Sequence, residues 1–234
     1  MSGFIGFRSF ENRSDASSAA AELLTQQLNA RLSNHPQNQA SLVVSGGSTP
    51  GPCFDQLSVA QLDWPRINVL PSDERYVPGT HADSNERLIR TRLLHGRAGQ
   101  GRFLPFYRDG VKAAQAPELI DTDLQELGLP FSVVLLGMGE DGHFASLFPD
   151  FSGLDEALNP ENKTRCIMVQ TAGSSHLRIS LTLSALLNSV SIVLLIFGDA
   201  KRDVFDVAMK GGSHYPIESL LQHASTPLTV FWAP

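Results

Sequence analysis

The stretch Val133 to Pro149, VVLLGMGEDGHFASLFP, carries the most explicit chemistry in the chain. An apolar run, Val133 to Leu136, breaks at Gly137, Gly139 and Gly142 and delivers Asp141 and His143 just past the break. Such a run reads as a buried strand spilling into a loop. An unperturbed imidazole titrates near pH ~6.5, so His143 could serve as a general base or acid at neutral pH. Asp141 could orient the ring. A lone histidine is more often structural than catalytic, and it is the DGH context after a glycine loop that favours chemistry here. The other histidines are His35, His81, His95, His176, His214 and His223. None completes an HxH or HExxH set, so no metal site is expected.

A second group of residues suits an anion. SGGST, residues 45–49, ends an apolar run and precedes a helix opened by Pro50. Unpaired N–H groups at a helix start favour negative charge, and Gly46, Gly47, Ser48 and Thr49 would supply backbone donors and hydroxyls. No GK[ST] follows, so this is not a Walker loop, and a plain capped turn would use the same residues. Asp73-Glu74-Arg75 ends another apolar run, where Arg75 could pair a phosphate or polarise a carbonyl. The plainer reading is a solvated charge cluster. Ser84-Asn85 reads first as a helix cap. Arg178 and Lys201 lie near strand ends; Lys201 falls in the first turn of a helix, where its charge opposes the dipole, which hints at a bound anion. GMGEDG formally matches GxGxxG, but Phe148-Pro149 interrupts the helix that a dinucleotide site requires, so no nucleotide is expected.

These residues need elements to hold them. Strands are expected at Phe4–Phe7, Ser41–Ser45, Ile67–Leu70, Val133–Leu136, Arg165–Gln170, Arg178–Leu181, Ser191–Phe197 and Leu228–Trp232. A helix capped by Ser14 or Asp15 should run to about Leu32. Others should follow Pro50, follow Asp83 or Ser84, span 114–127, start at Thr182, and span Asp199–Met209. Residues 35–39 and 97–102 read as loops. Continuous apolar strands alternating with helices indicate a doubly wound α/β fold, a mainly parallel Rossmann-like sheet with helices on both faces. In such sheets ligands bind beyond the carboxyl ends of the strands.

With 234 residues and 42% hydrophobic content, the whole chain, 1–234, can form one domain. A formal net charge of -6 gives no global attraction for nucleic acid or an anionic membrane. The two cysteines, Cys53 and Cys166, match no zinc or redox spacing and read as buried thiols. There is no secretory pattern at the N-terminus and no apolar run of the roughly 18 residues a membrane span needs. A cytoplasmic protein, monomeric or weakly homo-oligomeric, is expected.

Taken in order, SGGSTP, SDERYVP with HADSNERL, LLGMGEDGHFASLFP, RISLT and GDAKRDVF resemble the 6-phosphogluconolactonases. That family shares its fold with glucosamine-6-phosphate deaminase. The deaminases continue after DGH with an Asn-Glu-Pro segment; here Ser146-Leu147-Phe148-Pro149 offers no carboxylate, which favours the lactonase. Phe144 and His176-Leu177 depart from the usual lactonase pattern. The resemblance implies hydrolysis of 6-phospho-D-glucono-1,5-lactone to 6-phosphogluconate, a step of the oxidative pentose phosphate pathway, without metal or organic cofactor. It implies His143 as acid/base supported by Asp141, phosphate binding by residues 46–49 with Lys201 and Arg178, Arg75 on the phosphate or near the carboxylate end, Asp73 as a further supporting carboxylate, and Asn85 in contact with substrate. A phosphosugar deaminase or isomerase is the alternative. A sugar-phosphate sensor and a nucleotide-dependent oxidoreductase are weaker ones.

Overall fold

The computed structural model describes residues 4–34 and 39–234; His35 and most of the loop expected at 35–39 lie outside them. The chain opens with β1 (Ile5–Ser9) and α1 (Arg13–Asn34). The cap of α1 is Asn12, not Ser14 or Asp15: its Oδ1 accepts the Asp15 N–H at 2.9 Å, which places the two expected caps inside the first turn. Ala16, Ala20, Leu24, Leu28 and Leu32, spaced by four, form the buried stripe of this helix.

Next come β2 (Ala40–Val44), α2 (Gly51–Ser58), β3 (Ile67–Pro71), β4 (Asp73–Arg75) and α3 (Asn85–Arg92). They are followed by β5 (Arg102–Phe103), α4 (Ala116–Leu127), β6 (Val133–Leu136), α5 (Leu154–Ala157) and β7 (Cys166–Val169). The remainder is β8 (Arg178–Leu181), α6 (Leu183–Leu187), β9 (Ile192–Phe197), α7 (Asp199–Lys210), α8 (Pro216–His223) and β10 (Leu228–Ala233). Thr182 caps α6 as expected, accepting the Ala185 N–H.

Seven strands form one sheet in the order β1-β10-β9-β6-β2-β3-β5, every pair parallel. Successive residues of β2 serve opposite faces: Val43 joins a core with α4, α6, α7 and α8, while Leu42 and Val44 join one with α1, α2 and α3. This is the doubly wound α/β arrangement. From β2 the chain moves outward to β3 and β5 on one side, then returns to β6 on the other. The carboxyl ends of β2 and β6 therefore flank a topological switch point.

Beyond the α1 cap and the unexpected helices α5 and α8, two further features depart from the sequence reading. Asp73–Arg75 is a short strand rather than a loop, and with β8 and β7 it makes a separate antiparallel sheet in the order β4-β8-β7. Residues 97–102 also contain a buried turn at Ala98 and lead into the edge strand β5. Both cysteines are free and buried, and burial pushes the Cys53 thiol up to about 12. No helix among the described residues is long and apolar enough to cross a membrane.

Candidate active site at the switch point

A cavity of about 250 Å³ opens at the carboxyl ends of β2, β3 and β6. Its walls include Gly46, Gly47, Ser48, Thr49, Asp73, Arg75, Asn85, His143, Arg178 and Lys201. Of the candidate catalytic and binding residues read from the sequence, all line it except Asp141, which stands behind the imidazole. Three cations thus face one hollow in a chain whose net charge is -6.

The segment after β6 explains how His143 is held. No helix starts within residues 137–142; instead the Gly139 N–H donates to the His143 carbonyl at 2.9 Å and the Gly142 N–H to the Gly139 carbonyl at 3.1 Å. This closes a tight loop that leaves no helix N-terminus for a pyrophosphate. Asp141 Oδ1 lies 2.5 Å from His143 Nδ1 and accepts the His143 backbone N–H at 3.2 Å. With Nδ1 engaged by this carboxylate, Nε2 is the ring nitrogen left without a hydrogen-bond partner among the described residues. A Cβ on Gly139 would overlap both the imidazole and Asp141, so the close approach requires glycine. On the other side, the Phe148 ring lies 4.2 Å from the imidazole centroid. The same ring carries the Arg178 guanidinium at 5.1 Å from its centroid.

Beyond His143, Ala145 adopts a left-handed backbone with φ 49. The turn sends Ser146 inward while His143 stays at the cavity wall. Ser146 Oγ donates to the buried Asp73 Oδ2 at 2.6 Å, and Ser72 Oγ donates to Asp73 Oδ1 at 3.0 Å. Arg178 Nη1 stands 3.8 Å from Asp73 Oδ2.

The small sheet sets two guanidiniums against each other. Arg75 and Arg178 are direct partners across the β4–β8 ladder. Burial lowers the pKa of Arg178, Asp73 opposes that shift, and Arg75 adds to it. Like charges directly opposite cost stability unless something negative lies between or beside them. Arg75 donates from Nη1 to the Asp83 carbonyl at 2.7 Å and reaches Asn85 Oδ1 at 3.5 Å. Its Nε is buried without a hydrogen-bond partner among the described residues.

Glu74 points away from the cavity and anchors α3. Its carboxyl oxygens accept the N–H groups of Arg75, Asn85 and Glu86 at 2.7–2.8 Å, and the Ser84 hydroxyl at 3.0 Å. Burial pushes its pKa up to about 7, against the pull of those donors. Asn85 is more than a cap. Its Nδ2 donates to the Asp73 carbonyl at 2.7 Å, and its side chain fills the space where a Cβ on Gly46 would go. Gly47 follows with φ +83, and α2 begins at Gly51. Lys201, in the first turn of α7, is half-buried; burial lowers its pKa and the charge of Glu140 partly restores it.

Sequence reasoning missed several neighbours. Ser45 is buried at the cavity wall, and its Oγ has no hydrogen-bond partner among the described residues. It reads from the sequence as the last residue of a strand. Phe148 was legible only as a helix breaker. Ser146 gave no signal, because its partner Asp73 lies 73 residues away. Tyr215 packs over Gly142, and the Ile217 N–H donates to the Gly142 carbonyl at 2.9 Å, which ties α8 to the histidine loop.

Residues 11–232 match the family model described as glucosamine-6-phosphate isomerases/6-phosphogluconolactonase. The chain belongs to this family. It is 39% identical over 229 residues to a 6-phosphogluconolactonase of Rhizobium meliloti, covering 96% of this chain and 97% of that one. It is 41% identical over 200 residues to a 6-phosphogluconolactonase of Pseudomonas aeruginosa, covering 85% and 83% of the two chains. The crystal structure of a 6-phosphogluconolactonase from Shewanella baltica superposes with a TM-score of 0.93 at 35% identity, covering 99% of this chain and 98% of that one. The α/β fold and the lactonase resemblance read from the motifs agree with these relatives.

Proposed function

We propose that this protein hydrolyses 6-phospho-D-glucono-1,5-lactone to 6-phosphogluconate, with His143 as the general base and then the general acid. The observation that carries the reading is one cavity holding both an imidazole fixed by Asp141 and a cluster of cations beside a glycine-rich helix start. In this reading His143 Nε2 takes a proton from water as its oxygen attacks C1. The tetrahedral intermediate collapses by breaking the bond from C1 to the ring oxygen, which receives the proton back from Nε2. The products are a free hydroxyl and a carboxylic acid, which releases its proton to solvent and leaves a carboxylate. Acid–base catalysis of this kind contributes about 10²–10⁴-fold.

The phosphate lies far from the reacting carbon and supplies binding energy for alignment. Its ligands in this proposal are the backbone and hydroxyl donors of residues 46–49 with Lys201 and Arg178. The paired guanidiniums of Arg75 and Arg178 support an anion, since a phosphate beside them offsets their repulsion. Asp73 and Asn85 position these groups. The Ser146-Leu147-Phe148-Pro149 segment argues against deaminase chemistry: Ser146 is committed to Asp73, and Phe148 to the imidazole face.

The test is turnover of the 6-phosphorylated lactone against plain gluconolactone, corrected for spontaneous opening. The phosphorylated substrate should be strongly preferred, and His143→Ala should abolish the enzymatic rate while retaining 6-phosphogluconate binding. Unchanged turnover in that variant, or release of ammonia from glucosamine-6-phosphate by the wild type, would overturn the proposal.

A further inference from the structure

Three side chains outside the cavity meet only because of the small antiparallel sheet. His81 and Asp83 lie in the loop after β4, and His176 lies just before β8. The ladder that pairs Arg75 with Arg178 continues as Tyr76 N–H donates to the Leu177 carbonyl at 2.7 Å. The two loops therefore leave the sheet side by side. His176 Nε2 lies 3.0 Å from Asp83 Oδ2, and His81 Nδ1 lies 3.8 Å from the same oxygen. One ligand atom from each of the three residues falls within 4.8 Å of the other two. The imidazole rings stand nearly perpendicular, at 78°, with centroids 5.4 Å apart.

Two imidazoles and a carboxylate are the donor set of borderline transition ions, Zn²⁺ foremost. Zinc–donor bonds of about 2.0–2.2 Å put neighbouring tetrahedral ligands about 3.4 Å apart. The separations from Asp83 bracket that value. The side chains are 43%, 55% and 27% exposed for His81, Asp83 and His176, so small rotamer changes can close the set without disturbing the core. His81 Nδ1 accepts the Asp83 N–H at 3.1 Å, so its lone pair already faces Asp83. An ion would take that lone pair in place of the amide. The exposed side leaves a fourth position for water.

We propose that His81, Asp83 and His176 bind one divalent transition ion of the Zn²⁺ class, which clamps the loop after β4 to the loop before β8. Local spacing could not reveal the site, because Asp83 and His176 are 93 residues apart. The clamp borders the cavity from outside: the Asp83 carbonyl holds Arg75, and Arg178 follows His176 by two positions. The ion takes no part in the hydrolytic steps, and its binding is tested independently of them.

The experiment is calorimetric titration of the tag-free, chelator-treated full chain with Zn²⁺. One equivalent should bind. His81→Ala and His176→Ala should each weaken binding by at least about tenfold, and His143→Ala should leave it unchanged. In parallel, Zn²⁺ should shift the imidazole NMR signals of His81 and His176 in the wild type and spare His143, a readout that does not depend on any variant folding. Wild-type affinity equal to that of the His81→Ala/His176→Ala double variant would overturn the site. So would loss of binding in His143→Ala, or ring shifts confined to His143.

Discussion

Replacing Asp141 by asparagine separates the orienting part of the histidine loop from the proton transfer itself. Asparagine keeps an oxygen able to accept from His143 Nδ1 and from the His143 N–H, so the loop geometry survives while the charge is lost. A hydrogen bond to a charged group is worth about 1.5–3 kcal/mol. Here the carboxylate is 48% exposed and the imidazole 28%, so solvent screening favours the lower part of that range, about 1.5–2 kcal/mol. At 1.36 kcal/mol per decade this predicts a loss in kcat of about 10–30-fold. His143→Ala should lose about 10²–10⁴-fold. Because Asp141 acts only through the ring, the double variant should be no slower than His143→Ala alone. The assay is base consumption in a pH-stat at constant pH, with spontaneous lactone opening subtracted. A wild-type kcat for Asp141→Asn would refute the orienting role. A double variant whose losses multiply would show that Asp141 acts on the substrate directly.

Other predictions follow from particular contacts. Gly46→Ala should drive a methyl into Asn85, which is fixed by its bond to the Asp73 carbonyl; overpacking of this kind costs about 1–3 kcal/mol, so thermal melting should fall and KM should rise together. Lys201→Ala should mainly raise KM with kcat nearly retained; a change confined to kcat in steady-state kinetics would exclude a ground-state phosphate contact. Glu218 accepts from the Ser213 hydroxyl and from the Ser213 and Gly212 N–H groups, which hold its pKa down to about 2 from an ordinary 4.5. A lowered carboxyl pKa stabilises the fold above about 4.5, and that contribution is lost as pH falls through about 2. Melting curves should therefore show Glu218→Gln less stable than wild type at pH 7, with the gap closing in acid; a gap independent of pH would contradict this.

The parallel sheet was legible because its strands advertise themselves. Val133–Leu136 and Ile192–Phe197 are uninterrupted apolar runs, as strands covered on both faces require. The glycine breaks after them marked where His143 and Lys201 would emerge. The second sheet was hidden, since Asp73-Glu74-Arg75 has the composition of a solvated loop and pairs with residues about a hundred positions later. Its charges are tolerated because Ser72, the start of α3 and Ser146 meet them, and the last of these comes from 73 residues away, beyond any local window. The helix α8 did carry a signal, proline at its first position and Ile217, Leu220 and Leu221 on one face, in a segment short enough to pass for a loop. Within the site, residue types gave the cavity walls. The supports, Ser146 under Asp73 and Phe148 between His143 and Arg178, exist only in three dimensions.

Asp73 ties segments far apart in the chain to a single point. One buried carboxylate joins the end of β3, the turn that follows His143, and Arg178 on the strand that arrives last of the three. Until all three segments meet there, neither the imidazole nor the cations have their settings. A change at that one carboxylate should therefore disturb the histidine turn and the Arg178 side of the cavity together, although neither is near it in sequence.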